Sequence, residues 1–173
     1  MNIKEPLVIN GQAVEQVAEF KFLGTYIQEN LKWHSNLNDI RKKARQRLYF
    51  LRTLNTFHVQ QKILVSFYRA TIESILTRSI LVWFKAATIK DLNYLNSIIH
   101  QAEKIIHTSL PSLDKLYSER TLKRTLSIIK DDHHPSHELF TFLKSGKRLR
   151  TFMGNKRFTN SFYPSAVHVF NNQ

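Results

Sequence analysis

The run Ser35-Asn-Leu37-Asn-Asp-Ile40-Arg41-Lys42-Lys43-Ala44-Arg45-Gln-Arg47-Leu48-Tyr-Phe-Leu51-Arg52 sets the architecture of the chain. Leu37, Ile40, Ala44, Leu48 and Leu51 recur at helical spacing and form one apolar stripe. Arg41, Arg45 and Arg52 form a second stripe beside it, flanked by Lys42, Lys43 and Arg47. Ser35 is a predicted N-cap, because a serine hydroxyl can accept a backbone N–H of the first turn. No acidic residue lies between Arg41 and Arg52. The expectation is a helix with an apolar seam and an uninterrupted basic surface.

Upstream, the chain reads as extended. Pro6-Leu-Val-Ile-Asn10-Gly11 ends in Asn-Gly, a strong hairpin signal, and Gln12 to Val17 predicts the return strand. Phe20-Lys21-Phe22-Leu23-Gly24-Thr25-Tyr26-Ile27 predicts a further extended piece bent at Gly24. Strands this short and few do not make a stable sheet alone, so they must lean on the helices that follow.

Downstream, the period stays helical. A long apolar helix is predicted from Val59 to about Phe84, with Arg69 and Glu73 paired one turn apart. Charges at Arg69, Glu73 and Arg78 make it a buried core helix and argue against a membrane span. Thr88-Ile-Lys-Asp91 predicts a capping box before a helix carrying Leu92, Leu95, Ile98, Ile99, Ala102, Ile105 and Ile106. Leu110-Pro111-Ser112 is a break. A fourth helix follows from Leu113 to about Ile129, with Leu116, Tyr117, Arg120, Leu122 and Leu126 on its stripe. After Asp132, His133-His134-Pro135 is a second break, and Ser136 to Leu143 predicts a short helix. Ser145 to Tyr163 reads as an extended, partly ordered basic tail, and Pro164 opens a last short helix to Phe170.

The bulk composition narrows function. In 173 residues there are 26 Lys+Arg against 13 Asp+Glu, a formal net charge of +13. Solubility does not require such an excess, so the natural counterpart is a polyanion, with nucleic acid first. With no cysteine there is neither a disulfide scaffold nor a thiolate metal site. Met1 to Pro6 lack a signal-peptide core, so an intracellular protein is expected. Four scattered glycines, Gly11, Gly24, Gly146 and Gly154, give no phosphate loop or dinucleotide fingerprint.

Two basic clusters are candidate contacts to phosphates. The first is the helix cluster just described, above all Arg41, Lys42, Arg45 and Arg52. The second comprises Lys144, Lys147, Arg148, Arg150, Lys156 and Arg157, interleaved with Phe152, Phe158, Phe162 and Tyr163. Aromatics among cations can stack on unpaired bases, or they can dock onto the core. Lys21 alternates with Phe20 and Phe22 and is placed to touch a backbone phosphate. His133, His134 and His137, with Asp131 and Asp132, straddle a proline and read as a polar loop. They lack the rigid spacing of a metal site. No cofactor, no metal and no catalytic residue is expected, and Trp33 and Trp83 read as core anchors.

The order of motifs carries two resemblances. Pro6-Leu-x-Ile-Asn-Gly, Phe20-Lys-Phe-Leu-Gly24, Leu31-x-Trp33, Lys42-Lys-Ala-x-Gln-Arg-Leu-Tyr-Phe-Leu-Arg52, Phe67-Tyr68, Trp83-Phe84, Leu110-Pro-Ser-Leu and Ser145-Gly146 follow one another. In this order they resemble the C-terminal part of a non-LTR (LINE-type) retrotransposon reverse transcriptase of the fish type. That resemblance implies a primer grip at Phe22, Leu23 and Gly24 and a helical thumb whose basic helix lies near duplex phosphates. It also implies that the family's paired catalytic aspartates lie upstream, so the chain is expected to be a non-catalytic fragment. The segment from Pro6 to about Arg52 is also similar to the small N-terminal domain of the eighth AlkB homologue. That family carries dioxygenase and methyltransferase domains, but neither an iron triad nor a methyl-donor Gly loop is present here.

The fold expectation is therefore mainly α. It comprises a hairpin and primer-grip-like segment over 1–30, a thumb-like bundle of about four helices over 31–132, and a basic, partly ordered tail with short helices over 133–173. The expected partner is template–primer nucleic acid, bound through Lys21, Phe22, Leu23, Gly24, Arg41, Lys42, Arg45, Arg52, Lys147, Arg148 and Arg150. No membrane contact is expected. The competing expectation is an inert or partner-dependent helical fragment, whose exposed apolar surface favours self-association.

Overall fold

A computed structural model describes residues 7–173, and within them the chain is mainly helical, with two short hairpins ahead of the helices. Pro6, which opens the first predicted strand, lies outside the described residues.

The hairpins form where the turn chemistry demands them. Strand β1 (Val8–Ile9) pairs antiparallel with β2 (Gln12–Ala13) across Asn10-Gly11, both at positive φ. Strand β3 (Glu19–Phe22) pairs with β4 (Thr25–Gln28) across Leu23-Gly24, at φ 46° and 80°. A two-residue loop with both residues left-handed matches the right-handed twist of the strands. The predicted bend at Gly24 is thus a full reversal of the chain. Every residue of β3 is exposed, whereas β4 leans on the first helix.

Helix α1 (His34–Thr56) buries Leu37, Ile40, Ala44, Leu48 and Leu51, the predicted apolar stripe. Its N-terminus differs from expectation. Trp33 is the capping residue, at φ 63° and without a side-chain bond, and Ser35 lies inside the helix. The Gln28 side chain accepts from the Ser35 N–H at 3.3 Å, and Asn36 Oδ1 accepts from the Tyr26 N–H at 3.3 Å. The second hairpin therefore supplies the cap that a serine would otherwise give.

The predicted long second helix is broken. It runs as α2 (Gln61–Phe67), a π-helical segment (Tyr68–Glu73), α3 (Ser74–Leu76), a turn, α4 (Ile80–Trp83) and a 3-10 turn (Phe84–Ala86). The hydroxyls of Thr71, Ser74 and Thr77 donate back to the carbonyls of Phe67, Ala70 and Glu73 at 2.6–2.7 Å, contacts that bend a helix. At the turn, the freed Thr77 carbonyl accepts from Arg120 at 3.0 Å, and the Arg78 carbonyl accepts from the Trp83 indole at 2.7 Å. Ser79 stands at φ 50° with its hydroxyl 2.7 Å from that of Thr25. The expected Arg69–Glu73 ion pair does not form, because π winding moves the neighbour on the same face from i+4 towards i+5.

Helix α5 (Ile89–Ile106) opens with the Thr88–Asp91 capping box, and α6 (Leu113–Ile129) is capped by Ser112. On α6, Thr121 and Thr125 are buried and Leu126 is exposed, so the inner stripe runs one residue away from the predicted one. The Thr125 hydroxyl donates to the Thr121 carbonyl at 2.8 Å, which lets Thr125 face the core, whereas the buried Thr121 hydroxyl has no hydrogen-bond partner among the described residues. Trp83 is fully buried and Trp33 nearly so, and Phe84 stacks on Tyr117 with ring centroids 4.3 Å apart.

The last quarter is packed more closely than a tail. A 3-10 turn (His137–Leu139), α7 (Lys156–Thr159) and α8 (Phe162–Asn171) surround a second small core of Ile128, Phe140, Leu149, Ala166 and Val167. The predicted helix from Ser136 to Leu143 shrinks to that one turn, and Phe142 bridges Leu149 instead.

Candidate nucleic-acid interface

The cations of α1 divide according to what α5 offers them. Arg41 and Asp91 form an ion pair, and the Arg41 guanidinium also lies 5.0 Å from the centroid of the Tyr94 ring. Arg52 donates to Gln101 Oε1 at 2.8 Å. Arg41 meets residue 91 and Arg52 meets residue 101, so the two helices run side by side in the same direction. The Arg41–Arg45–Arg52 stripe therefore lies along the α1–α5 seam. The expected uninterrupted basic surface is corrected at Arg41, which is paired with Asp91. Its carboxylate partner is 50 residues away in sequence.

Asp91 is held by more than Arg41. Its Oδ2 accepts from the Thr88 hydroxyl at 2.6 Å and from the Thr88 N–H at 3.2 Å. Burial alone would raise its pKa, but the Thr88 bonds and the Arg41 charge outweigh burial and hold the carboxyl below its ordinary value. One aspartate thus caps α5 and clamps α1 to it.

Lys43 is also internally paired, with Asp39 one turn back at 2.7 Å. Among the described residues, Lys42, Arg45 and Arg47 have no carboxylate partner, and Arg52 has only an amide. Arg47 lies 5.7 Å from the Phe50 ring centroid. Arg45 and Arg52 line a groove of about 370 Å³ with Tyr49, Tyr94, Ser97 and Gln101, floored by Leu48 and Ile98. Tyr49 is 64% exposed, so an aromatic face is open beside two cations. The groove was not legible in the sequence, because half of its wall comes from α5.

The hairpin candidates sit elsewhere. Phe22 and Leu23 are exposed, Leu23 at 84%. Lys21 lies 4.9 Å from the Tyr26 ring centroid, its partner across the strands. The Gly24 carbonyl faces the Arg78 guanidinium at 3.5 Å, and a Cβ at Gly24 would come within 2.5 Å of Arg78 Nη1.

Lys147, Arg148 and Arg150 fall on the 142–150 loop, which Phe142 and Leu149 close by a single β-bridge. Lys147 is exposed near the turn at Gly146. Leu149 is fully buried, and Arg148 and Arg150 flank it and line a cavity of their own. Of the interleaved aromatics, Phe152, Phe162 and Tyr163 pack against the second core, and Phe158 stands edge-on to Phe152 at 6.1 Å.

The histidine group is used within its loop. His134 Nδ1 accepts from the Ser136 N–H at 3.1 Å, and His137 Nδ1 lies 3.2 Å from the Ile128 carbonyl. Among the described residues no three His, Asp or Glu side chains are gathered to hold a metal ion, and no helix is long and apolar enough to cross a membrane.

Comparison with known proteins adds one match. Residues 33–74, roughly a quarter of the chain, are similar to the family described as "Alkylated DNA repair protein alkB homolog 8, N-terminal". The matched segment spans α1, α2 and the π-helical turn. It shares 33–52 with the segment whose motifs carry the AlkB-homologue resemblance. No curated protein and no solved structure matches the chain.

Proposed function

We propose that this chain is a nucleic-acid-binding module that grips phosphates along α1 and carries out no bond-making chemistry of its own. It corresponds, on this reading, to the primer-grip and thumb portion of a LINE-type reverse transcriptase. One observation carries the proposal. Lys42, Arg45, Arg47 and Arg52 lie within three turns of one helix without a carboxylate partner among the described residues, beside a groove where the Tyr49 ring is exposed. Cations so spaced neutralise successive phosphates and release counterions, and Tyr49 offers stacking surface to a base. The +13 net charge draws a polyanion from a distance. The family description matched by residues 33–74 names a DNA repair protein, whose ligand class agrees with this reading.

A fluorescent RNA–DNA template–primer titrated against the pure chain tests the proposal. Binding weakened about tenfold or more by Arg45→Ala with Arg47→Ala, without loss of helicity, is the expected result. Equal binding by that variant would refute it.

A second reading rests on the hairpins. Leu7, Val8, Ile9, Phe20, Phe22 and Leu23 are all more than half exposed, which leaves apolar side chains on both hairpins open to solvent. On this reading the chain self-associates through β1–β4. Sizing chromatography separates the two, since a monomer at micromolar concentration excludes the second.

A further inference from the structure

We propose that the cavity between the extended segment 148–152 and α8 is a binding site for a terminal phosphate monoester carrying a planar ring. The ligand is a free nucleoside monophosphate or the phosphorylated end of a strand. The site shares no residue with the α1 groove and does not rest on the reading of that groove.

The site is built by one clasp. Asn171, on α8, accepts from the Leu149 N–H at 2.8 Å and donates to the Leu149 carbonyl at 3.0 Å. The Leu149 side chain is fully buried in the second core. Neighbouring backbone bonds hold the segment, with Arg150 N–H donating to Thr141 and Leu143 N–H donating to Arg148, both at 2.8 Å. Side chains alternate along an extended chain, so anchoring Leu149 inward presents Arg148 and Arg150 on the same outer side. Both line the cavity, and neither guanidinium has a hydrogen-bond or ion-pair partner among the described residues.

A third cation comes from the far side. Lys85 lines the same cavity from the 3-10 turn after Trp83, while its ammonium lies 5.6 Å from the centroid of the Tyr117 ring, towards a neighbouring groove lined by Asp114 and Glu119. Three cations line the cavity and no Asp or Glu does. A bound anion relieves the repulsion between them. A phosphate monoester carries close to two charges at neutral pH and matches the forked donors of arginine.

The size points past a bare ion. The cavity measures about 620 Å³, within the ~300–1,000 Å³ typical of small-molecule sites. Phe152 gives it an apolar wall, and Asn160 contributes an amide that bonds no other described residue. A phosphate held by the arginines would leave that wall and that amide for the ring of a nucleotide.

The test uses the full chain carrying Lys42→Ala, Arg45→Ala and Arg47→Ala, so that failure of the α1 reading cannot mimic failure here. Calorimetry compares adenosine monophosphate, a 5′-phosphorylated trinucleotide, the same trinucleotide without phosphate, and inorganic phosphate. Tighter binding of either phosphorylated ligand, by about tenfold over both the unphosphorylated trinucleotide and inorganic phosphate, is expected. The stronger of the two identifies the source. Arg148→Gln with Arg150→Gln should abolish that preference, and Lys85→Gln, which leaves the extended segment untouched, should weaken it several-fold. If the arginine pair unfolds the segment by circular dichroism, Lys85→Gln alone decides. No preference for the phosphate, equal binding of inorganic phosphate, or indifference to Lys85→Gln would each overturn the proposal.

Discussion

The two basic stretches look alike in sequence and are treated differently by the fold. On α1, Arg41 is locked to Asp91, Lys43 to Asp39 and Arg52 to Gln101, so only part of the cationic stripe faces outward unpaired. In the C-terminal segment, one buried leucine and one asparagine clasp push Arg148 and Arg150 outward together, with no acid beside them. A count of cations along a helix overstates the cationic surface, because packing against a second helix brings its acids and amides. An extended segment anchored at one residue presents its neighbours unopposed.

Four substitutions and one titration test this contrast. Leu149→Ala should have the largest effect, destabilising the C-terminal segment by about 3 kcal/mol, as large-to-small changes in a closed core do. Urea unfolding should then show an early transition confined to the second core, with the α1 region unchanged. A single cooperative shift of the whole chain would merge the two regions.

Arg41→Ala comes next. It leaves Asp91 with a half-buried charge and should cost about 2 kcal/mol, discounted from the 3–5 kcal/mol of a fully buried pair. Nucleic-acid affinity at native temperature should barely change. A loss of affinity without loss of stability would return Arg41 to the binding surface. Gly24→Ala should destabilise by about 1–2 kcal/mol, since it combines a positive φ with a Cβ pressed on Arg78. The loss should be smaller in an Arg78→Ala background, measured as a double-mutant cycle.

The pH dependence is smaller. Asp91 and Glu103 both have pKa values below the ordinary carboxyl value in the folded state. The Leu110 N–H, donating at 2.8 Å, is the main cause for Glu103. Their contribution is full above the unfolded-state carboxyl pKa, near 4, and is lost as pH falls through the lower folded values. Melting temperature should therefore drop below about pH 4, and Asp91→Asn should flatten that drop. An unchanged slope in Asp91→Asn would show that other carboxylates govern it. Smallest of all, Arg45→Ala should change stability by less than about 0.5 kcal/mol, because its side chain is exposed and unpaired.

What was legible in the sequence is what is local. The Asn10-Gly11 turn, the Thr88–Asp91 box, the apolar stripe of α1 and the bounds of α6 each depend on residues a few positions apart. What was not legible depends on distant partners. The helix break at 77–79 is stabilised by Arg120 and Thr25, and the fate of Arg41 is set by Asp91. Periodicity cannot report a bond formed 40 or 50 residues away. The inner stripe of α6 escapes the pattern because Thr121 and Thr125 are polar residue types, and only the fold shows them buried, with the Thr125 hydroxyl turned onto the Thr121 carbonyl. The groove beside α1 was half visible, through its arginines and not through Tyr94 or Gln101.

Salt dependence probes the proposed contact between the outward cations of α1 and phosphates. Template–primer affinity measured from about 50 to 200 mM salt should fall steeply, with log K linear in log salt at a slope of about −0.9 per phosphate neutralised. Removing Lys42, Arg45 and Arg47 together should make the slope about three contacts shallower. A slope near zero in the unmodified protein, or one left unchanged by those three substitutions, would contradict the account.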